Sequence, residues 1–134
     1  MKQPLAVREL ALAALALLAA AVVLAVVAQT RHRSKPRFHP QGSYPALAGS
    51  GGVATGRRTD CGVVIASGTI GVAQPTLPCG TRLFLTYRDR TVLVQVIDHR
   101  VSAAGRQFDL TEALARELDL SGVRPIRWAY ARAG

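Results

Sequence analysis

The sequence predicts a small, mainly β domain, a compact barrel of short strands with one short helix, carried behind an apolar N-terminal segment. Three observations predict it. Two β-rich runs, 82–87 and 91–97, stand close together with Arg88-Asp89-Arg90 between them. One amphipathic stretch follows, with Leu110, Ala113, Leu114 and Leu118 at helical spacing. Near the N-terminus, nineteen residues of Ala, Leu and Val, 10–28, run without a break.

The apolar run approaches the roughly 20 residues that a spanning helix needs and exceeds the roughly 7–15 of a cleaved signal core. Lys2 and Arg8 precede it. A signal anchor over residues 1–28 is expected. The alternative is cleavage after Ala28, which would release a secreted domain. No Cys directly follows the run, so a lipid anchor has no acceptor. Arg31, Arg33, Lys35 and Arg37 come next and by the positive-inside rule would hold the remainder in the cytoplasm. The cysteine pair argues the opposite, because stable disulfides need an oxidising compartment. The expectation is a single-pass protein with its domain outside the cytoplasm and the basic run against anionic headgroups.

Residues 29–51 are rich in Arg, Ser, Pro, Gly and His, with little periodic hydrophobicity, and read as a flexible basic linker. His32 and His39 are solvated residues on that reading. The domain is expected over 52–134. A first short strand falls at 53–55, and a loop at 56–62 carries Arg57, Arg58 and Cys61. Short β-like runs follow at 63–66 and 69–73, before Gln74-Pro75 and a Pro-Cys-Gly corner. Val, Leu, Ile, Phe and Thr suit a pleated, half-buried surface, which makes 82–87 and 91–97 strands. After Asp98, a loop over 99–107 turns at Gly105. Phe108-Asp109-Leu110-Thr111 then opens the helix. Asp109 and Glu112 have capping-box spacing, so Asp109 is the expected helix cap, with Thr111 its rival and a second catalytic carboxylate the alternative role. Ser121-Gly122 ends the helix. A last strand, 123–130, puts Trp128 and Tyr130 on one face.

The net charge is +9, but residues 51–134 hold eleven arginines against seven acids, so the domain is only mildly basic. Aromatics are few and basic residues scattered, so nucleic acid is not an expected partner. Neither Cys61 nor Cys79 belongs to a CxxC and no His stands at zinc-ligand spacing, so no metal site is expected. A disulfide between them would close a loop of about 18 residues, worth about 3 kcal/mol in the chain-entropy model. Two buried free thiols are the alternative.

The site argument rests on the second strand. Side chains alternate faces, so Val92, Val94 and Val96 share one face and Asp98 is next on it. Thr91, Leu93, Gln95 and Ile97 hold the other. A carboxylate in line with an all-valine row lies at the mouth of the core or just inside it. Burial there raises its pKa, as a general acid requires. On the other reading Asp98 only ends the strand and turns outward.

The order TLPCGTRL, hairpin, VIDHR, GRQFDLT and GVRPIRWAY resembles the RlpA-like (rare lipoprotein A) double-psi β-barrel domain over roughly residues 55–131. The resemblance implies a six-stranded double-psi β-barrel, a Cys61–Cys79 disulfide, no cofactor, and peptidoglycan glycan strands as partner, with the membrane engaged through the N-terminal helix. Asp98 matches the family's catalytic aspartate. Gln74 stands where the family has a histidine and cannot relay a proton in the same way. Asp98-His99-Arg100-Val101 replaces the family's Asp-Arg-Gly-Pro, and its upstream acidic residue has no clear counterpart.

Two functions follow from the resemblance. One is a lytic transglycosylase in which Asp98 first protonates the glycosidic oxygen and then takes a proton from the sugar's own hydroxyl, closing an anhydro ring. The other is a non-catalytic, expansin-like wall module, favoured if Gln74 abolishes activity. Substrate contacts are expected from Gln74, His99, Arg100 and Arg106. Arg57 and Arg58 would meet acidic wall groups, and Tyr87 or Trp128 would stack on sugars.

Overall fold

The computed structural model describes residues 5–31 and 37–134. The chain forms two compact units, Met1–Pro36 and Arg37–Gly134. The first holds helix α1, Leu5–Arg31. Among the described residues no helix is long and apolar enough to cross a membrane. The side chains of Leu10 and of residues 24–31 lie outside the described residues, so the expected anchor falls partly beyond them.

The second unit comprises β1 (Phe38–Val53), β2 (Val72–Ala73), β3 (Arg82–Tyr87), β4 (Arg90–Asp98), β5 (Phe108–Thr111), α2 (Glu112–Leu118) and β6 (Val123–Ala133). The six strands close into a barrel in the order β1-β5-β2-β4-β3-β6. β1 runs parallel to β5 and β2 parallel to β4, while the other pairings are antiparallel. The mainly β architecture with one short barrel helix is the one expected.

The linker and the domain start are corrected. Residues 38–51, expected as tether, belong to β1, which pairs with β6 along one edge and with β5 along the other. Residues 32–36 of the expected linker lie outside the described residues. Four glycines and two prolines gave this strand the look of a loop. Two of those glycines are there because nothing larger fits. A Cβ at Gly49 would collide with the Arg106 guanidinium, and one at Gly52 with the Asp109 carboxylate. Gly42 and Gly51, both near φ +80°, lie within the two register shifts of β1, where a bulged residue takes a left-handed turn.

Other elements are shorter than expected. The run at 69–73 contributes only β2, and 63–66 contributes a single bridge, Val64 to Arg58. The hairpin is close to its expected bounds. Tyr87 pairs with Arg90, and Arg88 turns at φ 55°.

The core fills the barrel with Leu83, Leu85, Val94, Val96, Phe108, Leu110 and Ile126, closed at one side by Leu114 and Leu118 of α2. A second, smaller cluster joins Val53, Ala73 and Ile97 to Ile65. It fastens the 56–65 loop to the sheet. Within that loop, Gly56 N donates to Ile65 O at 2.7 Å and Ile65 N to Arg57 O at 3.0 Å. This places Arg57 over the end of β4.

Candidate functional site

Alternation along β4 works as expected. Val94, Val96 and Asp98 are buried in turn, and Asp98 is 0% exposed. Its carboxylate is covered by the 56–65 loop. Arg57 Nη2 donates to Oδ2 at 2.6 Å. Asp60 N donates to Oδ1 at 3.2 Å and His99 N to the same oxygen at 2.9 Å. Arg100 Nε stands 3.8 Å from Oδ1 and 3.3 Å from Asp60 Oδ1.

The expected rise in the Asp98 pKa is corrected. Burial pushes it up, but the amides of Asp60, His99 and Arg100 and the Arg57 guanidinium together outweigh that, and the carboxyl is held below its ordinary value of 3.8. Donors that stabilise the anion were invisible in a strand pattern, since Arg57 and Asp60 lie about 40 residues upstream.

Asp109 is also corrected. It is a mid-strand residue of β5, wholly buried, and not the helix cap. Thr111 is the N-cap, its Oγ1 accepting from Leu114 N at 3.4 Å and from Gly71 N at 3.3 Å. Asp109 Oδ2 accepts from Ser102 N at 2.6 Å, and Oδ1 lies 2.7 Å from Arg106 Nε. That contact is an ion pair without an aligned hydrogen bond, since neither atom has a partner of good geometry. In register, Ala73 of β2 separates Asp98 of β4 from Asp109 of β5. Two buried carboxylates thus flank one short strand, each ties down a loop, and each is matched by an arginine.

The expected contact residues divide. Arg106 is 12% exposed at its side chain and faces Asp109 and Ser102 Oγ. Gln74 is buried, its Oε1 accepting from Thr76 N at 2.7 Å and Leu77 N at 2.6 Å, so it shapes the turn into the Pro-Cys-Gly corner. Both side chains have their partners within the fold. Arg100, 57% exposed, and Asp60, 42% exposed, do face solvent. His99 folds back, its Nε2 3.0 Å from Leu77 O and 3.8 Å from Cys79 Sγ. Tyr87 is buried. Trp128 packs against Tyr44, Phe108 and Tyr130 at centroid distances of 4.8, 5.8 and 5.1 Å. Tyr44, 44% exposed, was missed because its strand read as linker.

Cys61 and Cys79 form a disulfide with Cα atoms 5.6 Å apart. It links the loop that covers Asp98 to the corner that precedes β3.

No family model matches the chain. A search of curated proteins finds no relative. Among solved structures, the Streptomyces papain inhibitor is similar at TM-score 0.54 and 24% identity, covering 69% of this chain and 97% of that one. The apo expansin of Clavibacter michiganensis is similar at TM-score 0.56 and 25% identity, and a mutant of it in complex with cellohexaose at 0.55 and 24%. Each covers 69% of this chain, which spans 53% of the expansin's length. The chain thus has the double-psi β-barrel-like fold of these proteins.

Proposed function

We propose that the barrel is a wall-directed, carbohydrate-binding module that holds glycan strands without cutting them. One observation carries this reading over cleavage. The carboxylate expected to donate a proton is 0% exposed and ion-paired to Arg57 at 2.6 Å. A general acid must hold its proton at working pH and reach the glycosidic oxygen. Asp98 is braced for neither task, and Gln74, in the family's histidine position, is tied into a turn.

The glycan assignment is supported by likeness to an expansin, a mutant of which was solved with cellohexaose. Peptidoglycan glycan strands are the proposed ligand, met by the solvent-facing Arg100 and Asp60 and by the exposed Arg58. The proposed location is outside the cytoplasm, with residues 1–28 as the anchor. The disulfide supports that side of the membrane.

The test uses residues 37–134 with purified peptidoglycan. The expected result is co-sedimentation with the wall, weakened in Arg100→Ala, and no soluble anhydro-muropeptides. Anhydro-muropeptides that disappear in Asp98→Asn would restore the transglycosylase reading. Absence of retention would overturn glycan binding.

A further inference from the structure

The spacing of the cysteines and histidines in sequence carries no zinc signature, yet the fold assembles a ligand set. Cys61 Sγ, Cys79 Sγ and a His99 ring nitrogen all lie within 4.8 Å of one another. Sequence separation hides this: 18 residues part the cysteines and 20 part Cys79 from His99. From this convergence we infer that reduction of the disulfide converts the cross-link into a Cys-Cys-His site for a thiophilic divalent cation, Zn²⁺ foremost.

The geometry is close to what such an ion needs. Tetrahedral zinc with Zn–S near 2.3 Å and Zn–N near 2.0–2.1 Å places sulfur and nitrogen about 3.5 Å apart and two sulfurs about 3.8 Å apart. His99 Nε2 already lies 3.8 Å from Cys79 Sγ. Once the bond between them is cut, the two sulfurs must move apart to share an ion. Both cysteines stand in turns outside the strands, and each is followed by a glycine at positive φ, Gly62 at 79° and Gly80 at 82°. A Cβ at either glycine would meet nothing within 4 Å, so both turns have room to move. His99 is fixed from behind by its own backbone, whose N–H donates to Asp98 Oδ1 at 2.9 Å. On binding, Nε2 exchanges its contact with Leu77 O for the metal. Cys79 is exposed, and Cys61 and His99 are half-buried, so reductant and ion both have access.

The steps balance. A dithiol reductant gives two electrons and two protons to the Cys61–Cys79 bond, becoming a cyclic disulfide and leaving two thiols. Zn²⁺ then binds two thiolates and neutral His99, releasing the two thiol protons, with water in the fourth position. The inference is independent of the glycan reading.

The experiment uses the full chain in detergent micelles, reduced with a dithiol that is then removed without air. Co²⁺ alone is the probe. The expected result is one Co²⁺ per reduced chain, with a thiolate charge-transfer band and the intense visible bands of tetrahedral geometry, displaced by Zn²⁺. The oxidised chain should bind none, and His99→Ala should lower affinity at least tenfold. If reduction loosens the fold, Zn²⁺ should recover the lost unfolding midpoint in the wild type and not in His99→Ala. No cobalt bands after reduction, equal binding by the oxidised chain, or unchanged affinity in His99→Ala would each overturn the inference.

Discussion

Arg57 Nη2 lies 2.6 Å from Asp98 Oδ2, and the two residues are 41 positions apart in the chain. The contact closes the 56–65 loop over the end of β4 and pairs the candidate acid with a guanidinium. Both residues lose water to make it, and a buried pair depends on its remaining hydrogen bonds to be worth keeping. Here two backbone amides supply them.

Asp98→Asn preserves the volume but removes the charge that Arg57 faces and puts a carboxamide NH2, which only donates, near backbone donors. Breaking one partner of such a pair should lower unfolding free energy by about 2–4 kcal/mol. Urea unfolding of residues 37–134 measures it. A change within about 0.5 kcal/mol, the usual surface range, would show that the carboxylate holds nothing together.

The pH dependence has a definite sign. The folded carboxyl is held below its ordinary 3.8, so its stabilisation is complete above that value and is lost as pH falls through the lower folded one. The stability gap between wild type and Asp98→Asn should be flat from neutrality to about pH 4 and close below it. A gap that changes between about pH 5 and 7 would mean a raised carboxyl, the state a general acid requires.

β1 sets the minimal domain. It supplies partners to both β5 and β6, so a fragment beginning at Gly52 has an opened barrel with two bare edges. Residues 37–134 should unfold cooperatively on heating, and residues 52–134 should show no cooperative transition by circular dichroism. Equal melting of the two fragments would return 38–51 to the role of tether.

Glycine packing gives a local check. Gly52→Ala drives a methyl group into the Asp109 carboxylate and should cost about 1–3 kcal/mol. Gly68→Ala, with open space around it, should stay within about 0.5 kcal/mol. Similar losses at both positions would show that the Asp109 cluster yields more readily than its burial implies.

Much of the barrel could be read from residue order alone. The β3–β4 hairpin, the valine row ending in Asp98, the helical spacing of Leu114 and Leu118, and the final strand are local patterns; Leu110 shared that spacing but lies in β5. A period of two or 3.6 is set by backbone geometry within one element, and it survives without knowing what the element touches. Likeness to a known barrel motif supplied the cysteine pairing, which spacing alone left open.

Contacts across the barrel were decided only in three dimensions. β1 looked like a loop because Gly49 and Gly52 answer to Arg106 and Asp109, side chains more than fifty positions away. Asp109 had the spacing of a cap, but β5 continues to Thr111 and turns it toward β1. Asp98 kept its place, but the amides of Asp60, His99 and Arg100 with Arg57 hold its pKa down where burial alone would raise it. Charge, burial and ligand sets depend on distance in space, and a closed sheet with parallel neighbours brings together groups that the chain keeps apart.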